Sequence, residues 1–278
     1  MVNKMKLINN VTLGADPELF YKNEEELVSA EGLVGGTKKN PKMISDDGHA
    51  IQEDNVLVEF NIPPSKTKDE FKYNINYCLE YIREVGLLQG LTLSDLASNE
   101  MNPKYLQTAH ARQFSCERDF NAHTRSVNPI INNNTNLRSA GGHIHIGYDN
   151  PSEGMSEKII LMMDIILGME SMFMDKDTRR RELYGKAGCF RFKPFGVEYR
   201  TLSNFWIQDD NLIDWAYEST HKVISLINQG MADDLIEQFA HKAKEAIDEN
   251  NKDIAKEVIA GVEAFVETFK KEKINDSN

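Results

Sequence analysis

The chain has 278 residues, of which 40% are hydrophobic and 27% charged, as is typical of a soluble globular protein of one or two domains. Its 32 basic and 44 acidic residues give a net charge of −12, which argues against a nucleic-acid or anionic-membrane partner. The three cysteines, Cys78, Cys116 and Cys189, have the spacing of neither a disulfide framework nor a thiolate zinc site. We therefore expect reduced thiols in a cytoplasmic protein.

The N-terminal segment and the most apolar stretch support the same expectation. Residues 1–10 contain no apolar signal core. Residues 159–174 form the most apolar run, but Asp164 and Glu170 interrupt it. This pattern predicts a buried helix rather than a membrane span, so we expect no membrane partner.

The predicted elements mix strands, hairpins and helices along the chain. Strands are predicted at 11–21, 27–34 and 141–148, with hairpins at 44–61, turning near Asp47-Gly48, and at 189–202. Helices are predicted at 69–88, 155–175 and 210–228. Residues 98–138 are polar and Asn-rich with little periodicity, which is typical of a functional or mobile segment. This order favours an α+β fold with a mainly antiparallel sheet backed by helices.

The composition changes after residue 230. Residues 231–278 contain twelve acidic and seven basic residues, with apolar residues at helical spacing. Two helices are predicted there, packed on the body of the protein or on a partner subunit. The sequence thus predicts a body over 1–230 and a helical C-terminal extension over 231–278.

Five predicted strands each place polar residues at i and i+2, and such residues share one face of a strand. These sets are Asp16/Glu18, Glu53/Asn55/Glu59/Asn61, His143/His145, Arg191/Lys193 and Glu198/Arg200. An ordinary solvated sheet face is the alternative interpretation of any one set. It is weakest for the two histidines, because the flanking glycines indicate close approach of backbone or ligand.

A sheet face with carboxylates, imidazoles and cations suits phosphoryl transfer. Mg²⁺ and Mn²⁺ take carboxylate oxygens and an occasional imidazole, while Arg and Lys hold phosphate oxygens. The chain has no Walker-type phosphate loop. A hydrolase that uses His143, His145 and a carboxylate around zinc or iron remains an alternative.

Four motifs in order carry a resemblance: G-x-D-x-E at 14–18, V-E-F-N at 58–61, R-S-A-G-G-H-I-H-I-G at 138–147 and F-R-F-K-P-x-G-V-E-Y-R-T-L-S-N-F-W at 190–206. Together they resemble the carboxylate–amine ligase superfamily of glutamine synthetase and glutamate–cysteine ligase, in particular its bacteriophage COOH–NH2 amidoligase branch. The resemblance implies a glutamine synthetase-like catalytic domain over 1–230. It also implies an enzyme that uses ATP and Mg²⁺ (or Mn²⁺) to form an amide through an acyl phosphate.

The resemblance also implies roles for individual residues. The implied metal ligands are Glu18, Glu59, His143, Glu198 and Asp16, the last standing where Glu is usual. The implied nucleotide-binding residues are His145, Arg138, Arg200 and Lys193. The implied catalytic residues are Arg200, Arg191, Lys193 and Asp16. Glu53 matches less clearly and is either an outer group of the site or a surface acid.

Some features stay open at this level. Lys38 and Lys39, in the loop at 36–41, are interpreted as part of an exposed turn in preference to a phosphate contact. The basic run at 179–181 is interpreted as solvated, with nucleotide contact as the alternative. The expected partners are small-molecule or peptide carboxylates and amines, in the host cytoplasm if the protein is phage-encoded, and a homo-oligomer is compatible with the superfamily. A decayed site in a binding or assembly protein is a third hypothesis.

Overall fold

A computed structural model describes residues 7–112, 119–128 and 136–276. It contains fifteen strands: β1 Thr12–Ala15, β2 Glu18–Leu19, β3 Tyr21–Lys22, β4 Leu27–Val28, β5 Lys42–Met43, β6 Ala50–Asp54, β7 Leu57–Asn61, β8 Thr92–Leu93, β9 Ser98–Glu100, β10 Phe120–Asn121, β11 Ser126–Val127, β12 Leu137–Ser139, β13 Ile144–Gly147, β14 Cys189–Lys193 and β15 Gly196–Tyr199. The α-helices are α1 Lys68–Leu87, α2 Ala109–Arg112, α3 Glu153–Met163, α4 Met169–Met174, α5 Arg180–Leu183, α6 Asp210–Asn228, α7 Ala232–Glu249 and α8 Lys252–Asp276. A π-helical turn, Asp164–Gly168, joins α3 to α4, and short 3-10 turns cover Pro103–Tyr105 and Asn204–Ile207.

The strands form antiparallel sheets, which confirms the α+β class. The largest sheet has the order β1-β13-β15-β14-β10-β11, and a four-stranded sheet has the order β2-β7-β6-β5. Two smaller sheets are β12-β9 and β4-β3-β8. Backbone bonds from Phe60 to Pro17 and from Ile62 to Ala15 connect the two larger sheets. The chain from β1 to β2 therefore belongs to both, and it carries Asp16 and Glu18 across the junction.

Alternation along the strands separates the core from the polar face, as predicted. Ile144 and Ile146 of β13 are fully buried in a hydrophobic core that also contains Val197 of β15 and residues of α3. His145 lies between the two isoleucines and points to the opposite face, since successive side chains alternate. The helices thus cover one face of the largest sheet and leave the other to the polar residues.

The predicted first helix forms as α1, one residue earlier than the predicted start. Thr67 caps it: its side chain accepts a bond from the backbone of Glu70, and the Glu70 side chain accepts one from the backbone of Thr67. This reciprocal capping box satisfies two of the amide groups that a helix start leaves open. The buried stripe of α1 is Phe71, Asn74, Ile75, Cys78, Leu79, Ile82 and Gly86. Its packing on β1 and β7 supports the junction of the two sheets.

The two C-terminal helices form and pack on the rest of the chain. Ala243 and Ile247 of α7 and Val258 of α8 are buried in the same hydrophobic core as the largest sheet. They lie against the π-helical turn, α3 and α4. The domain boundary at residue 230 stays a prediction.

Two further expectations concern cysteines and membranes. Cys78 and Cys189 are buried free thiols, and burial raises the pKa of each to about 12. They are therefore protonated at neutral pH; Cys116 falls outside the described residues. Within the described ranges, no helix has the length and apolar character needed to cross a lipid bilayer.

Candidate active site

The histidine pair stands beside the first-strand aspartate. Nδ1 of His143 lies 3.1 Å from Oδ1 of Asp16, and Nε2 of His145 lies 3.2 Å from Oδ2 of the same carboxylate. A side chain at Gly141 would overlap the ring of His143, so the predicted close approach at these glycines is that of protein to protein. Burial opposes ionisation of Asp16, but the two histidines hold its pKa well below the usual range. Asp16 is therefore ionised at neutral pH and can act as a ligand for a cation.

Glu198 is the most enclosed carboxylate of this group. It is fully buried and faces His145 in the register of β13 with β15. Arg200 bonds to one of its oxygens, and Nζ of Lys193 lies 2.6 Å from the other. Burial opposes ionisation, yet Arg200 first and then the two histidines lower the pKa of Glu198 to about 2. Both histidine rings also lie within 4 Å of it.

Asp119 joins Arg191 and Arg200, and the sequence offered no periodic signal for it. Its Oδ1 lies 3.1 Å from Nε of Arg191 and 3.0 Å from Nε of Arg200. The residue precedes β10, whose pairing with β14 places it beside the cationic strand. Arg200 is thus held between Glu198 and Asp119. The sequence placed Asp119 only within residues 98–138, a stretch predicted to be functional or mobile.

A second carboxylate group occupies the four-stranded sheet. Glu18 and Glu59 are direct partners in the register of β2 with β7, and Asp54 completes the group. The backbone N–H of Gly141 donates to Oε2 of Glu18 at 2.7 Å. Burial first, and then the charges of Asp16 and Asp54, raise the pKa of Glu59 well above its usual value. Oε2 of Glu59 is buried and has no hydrogen-bond partner among the described residues.

Asp54, rather than Glu53, belongs to this group, which corrects the predicted strand parity. The sequence pattern treated residues 51–61 as one strand, with Glu53 and Glu59 on one face. The chain instead reverses at Asn55, whose φ of 52° lies in the left-handed region. In the resulting hairpin Gln52 pairs with Glu59, and Glu53 pairs with Val58. Glu53 therefore faces away and accepts a bond from the backbone of Gly35 at 2.9 Å.

Two basic segments that the sequence predicts to be exposed, the loop at 36–41 and the run at 179–181, also contribute residues to the site. Nζ of Lys38 lies 3.3 Å from Oδ2 of Asp54. Burial opposes protonation of Lys38, but the charges of Glu59 and Asp54 raise the pKa of Lys38 overall. Arg180 and Arg181 are buried, at 3% and 9% exposure, so the run at 179–181 is not a solvated surface as a whole. Tertiary packing of the segment after α4 produces this burial, and no local pattern encodes it.

Several residues of both groups line one cleft. It is bounded by Glu18, Lys38, Asp54, Asn55, Asp119, Arg138, Ser139, His143, Arg180, Tyr184, Gly185 and Arg200. Carboxylates and cations thus meet in a single polar cavity, as an anionic substrate with counter-ions would require.

A comparison with models of protein families identifies the family of this chain. The family model described as phage phiEco32-like COOH.NH2 ligase-type 2 matches residues 134–274, which is half of the chain. The chain belongs to this ligase family. The match contains His143, Lys193, Glu198 and Arg200, and it continues across residue 230 into α8. No curated protein matches the chain.

Membership in the COOH–NH2 ligase family indicates an enzyme that forms carbon–nitrogen bonds. The site residues fit divalent cations of the kind such chemistry uses. In each of two groups, one ligand atom per residue lies within 4.8 Å of the others: Asp16, His145 and Glu198; and Glu18, Asp54 and Glu59. Oxygen-rich sets with one imidazole suit Mg²⁺ or Mn²⁺. The buried Oε2 of Glu59, for which the described residues provide no hydrogen-bond partner, fits the role of a metal-ligand atom.

The corrected hairpin yields a direct prediction for this ligase. Asp54→Asn is expected to weaken Mg²⁺ binding at least about 10-fold, because it removes a charged oxygen from the second group. Glu53→Gln changes the same net charge on the same hairpin but on the other face, and is expected to change binding less than about 2-fold. Titration calorimetry of both variants measures this difference. Equal losses in the two variants would contradict the assignment of Asp54.

Proposed function

We propose that the protein is an ATP- and Mg²⁺-dependent carboxylate–amine ligase with a glutamine synthetase-like catalytic fold. The observation that carries this proposal is the pair of three-ligand groups, joined by the chain from Asp16 to Glu18, next to the buried Arg200. Two adjacent cation sites with an arginine beside them suit transfer of a phosphoryl group. Family membership supports the amide-forming outcome.

The proposed metal ligands are Asp16, Glu198 and a histidine in one group, and Glu18, Asp54 and Glu59 in the other. Bound Mg²⁺ would neutralise phosphate charge and orient the nucleotide. Both histidine rings adjoin Asp16, but the group whose ligand atoms lie within 4.8 Å of one another contains His145. We therefore propose His145 as the ligand, in place of the predicted His143, and His143, which lines the cleft, as the nucleotide contact. The low pKa of Asp16 and Glu198 keeps both carboxylates ionised at neutral pH.

In the proposed reaction an oxygen of the substrate carboxylate attacks the γ-phosphorus of ATP. The bond from that phosphorus to the β-phosphate oxygen breaks, which gives an acyl phosphate and ADP. An amine then attacks the acyl carbon and phosphate leaves, while the amine proton passes to a cleft carboxylate or water. Arg200, held by Glu198 and Asp119, is positioned in advance to stabilise charge on the transferring group, with Arg191 and Lys193 beside it. Arg138 lines the same cleft and is a further proposed phosphate contact.

Calorimetry with ATP tests the proposal. Wild-type protein is expected to bind ATP only when Mg²⁺ or Mn²⁺ is present. Release of phosphate should then depend on both an added acid and an added amine, which we propose are soluble small molecules or peptides. Metal-independent binding, or no nucleotide binding, would sink the ligase proposal. A purified protein that contains stoichiometric zinc or iron and does not respond to ATP would favour the hydrolase alternative. A protein that binds neither ATP nor a transition metal would favour the decayed binding protein.

Arg200→Lys is expected to lower kcat about 10²-fold to 10³-fold. A lysine ammonium keeps the charge but cannot hold Glu198 and Asp119 at once with a planar fork. The affinity for Mg²⁺ should change far less, because the metal-ligand carboxylates remain. Steady-state kinetics together with metal titration separate these effects. A KM increase with unchanged kcat would contradict a role in the transition state.

A further inference from the structure

Arg180 is a buried cation with unused hydrogen-bond donors. It begins α5 and lines the same cleft as Glu18 and Arg200. Its Nη1 donates to the carbonyl of Thr201 at 2.8 Å, and its Nη2 donates to the carbonyl of Arg200 at 3.2 Å. A guanidinium has five N–H donors, so several remain. The buried Nε is one for which the described residues provide no hydrogen-bond partner.

The charge of Arg180 is less compensated than that of the neighbouring cations. Arg191, Lys193 and Arg200 each lie within 4 Å of a carboxylate, whereas no described carboxylate lies that close to Arg180. Burial lowers the pKa of Arg180, and the more distant charge of Glu18 opposes that effect. Holding a buried cation without a counter-ion is strongly unfavourable. A charge kept under these conditions points to an anion that arrives with a ligand.

The surrounding backbone fixes the guanidinium in place. Gly185 has a φ of +74°, and a side chain there would overlap Nη1 of Arg180. The chain therefore passes directly over the guanidinium, which only glycine permits. Arg138 on β12 lines the same cleft and is also held by carbonyls, those of Leu137 and Ala111, at 2.9 and 3.0 Å. Two buried guanidiniums are thus held in place by backbone before any ligand binds.

We propose that Arg180, with Arg138, forms a binding subsite for carboxylate or phosphate oxygens that is separate from the site of Arg200. This inference deepens the proposed function and rests on it for the source of the anion. That source is either a phosphate of the nucleotide or a second acidic group on the acid substrate. Both present two oxygens on one central atom, which a guanidinium binds with paired donors.

Thermal unfolding with inorganic phosphate, at constant ionic strength and without metal, tests the subsite itself. Phosphate at a few times its Kd is expected to raise the melting temperature of the wild type by about 2–4 °C. Arg180→Gln should lose this shift, and its melting temperature without phosphate should equal or exceed that of the wild type, because an uncompensated buried charge is gone. Arg179→Gln removes the exposed neighbouring charge and should keep the shift. Arg180→Lys retains the charge without the planar fork and is expected to weaken phosphate affinity about 10-fold.

The opposite pattern would overturn the proposal. If Arg180 only supports the backbone, Arg180→Gln should melt at a lower temperature than the wild type and keep the phosphate shift. If Arg180→Gln does not fold, an unchanged phosphate affinity in Arg180→Lys would likewise show that Arg180 has only a structural role. Calorimetry with Mg²⁺–ATP identifies the source of the anion. A loss of about 10-fold or more in Arg180→Gln assigns the subsite to the nucleotide, and unchanged ATP affinity with a lost phosphate shift assigns it to the acid substrate. A phosphate shift without any ATP binding in the wild type would support the subsite and contradict the ATP-dependent function.

Discussion

Glu198→Gln is expected to abolish metal-dependent turnover, with a fall of at least about 10²-fold in kcat, and to destabilise the protein. The substitution removes a proposed metal ligand and leaves Arg200 and Lys193 without the carboxylate that they share. Breaking a buried ion pair from one side is unfavourable by about 3 kcal/mol, which corresponds to a lower melting temperature on the order of 10 °C. Steady-state kinetics and thermal unfolding measure the two effects.

The pH dependence of this effect has a definite sign. Because the folded pKa of Glu198, about 2, is below its usual 4.5, its contribution to stability is present above about pH 5 and is lost as pH falls toward 2. The difference in stability between the wild type and Glu198→Gln should therefore shrink over that range. Glu80→Gln, on the exposed face of α1, changes the same charge and should have almost no effect. A constant difference across the range would contradict the buried ion pair.

Glu59→Gln is expected to have the opposite effect on stability. Burial and the charges of Asp16 and Asp54 disfavour the ionised form of Glu59, so its raised pKa means that the folded state binds the proton more tightly than the unfolded state. Its contribution to metal-free stability is lost as pH rises above the usual value of 4.5. At neutral pH the metal-free variant should therefore be more stable by about 1 kcal/mol, which is a rise of about 3 °C in melting temperature.

Mg²⁺ should reverse this order. The cation is expected to stabilise the wild type and to have little effect on Glu59→Gln, since the second group has lost a ligand. Affinity for Mg²⁺ in the wild type should rise with pH, because binding requires the ionised carboxylate. Thermal unfolding from pH 5 to pH 8, with and without Mg²⁺, measures both trends. Destabilisation of the metal-free variant at neutral pH would show that Glu59 is a structural hydrogen-bonding group.

These opposite expectations follow from two carboxylates that the sequence pattern treated alike. Glu59 and Glu198 each stand in a strand with apolar neighbours on the other face. Glu198 has Arg200 two residues away on the same strand face and Lys193 on the neighbouring strand. Glu59 faces other acids across the hairpin and the β2 strand, with Lys38 as the nearby cation. Neighbouring strands determine which charged groups lie near a carboxylate. These groups set the direction in which its pKa shifts.

The face of the sheet to which a side chain points is set locally, by alternation along the strand. For that reason the sequence predicts it. The faces of His143 and His145, of Arg191 and Lys193, and of Glu198 and Arg200 depend only on alternation along short unbroken strands and the residues directly beside them. The same rule failed for Glu53 because Asp54-Asn55 forms a turn inside the predicted strand, and each reversal resets the parity. Asp and Asn are frequent turn residues, so the dipeptide was the signal that the periodic interpretation overlooked.

The sequence alone determined the α+β class, the helical stripes, the ligase resemblance and most of the residues around the first carboxylate group. These depend on periodicities of a few residues and on contiguous motifs. Tertiary structure decided that Asp54, Asp119, Lys38 and Arg180 reach the same cleft, because each arrives on a turn or connection whose course depends on distant packing. The net charge of −12 argues against general attraction to phosphate, whereas the cleft itself brings together Lys38, Arg138, Arg180 and Arg200. Charge position, unlike total charge, exists only once the chain has folded.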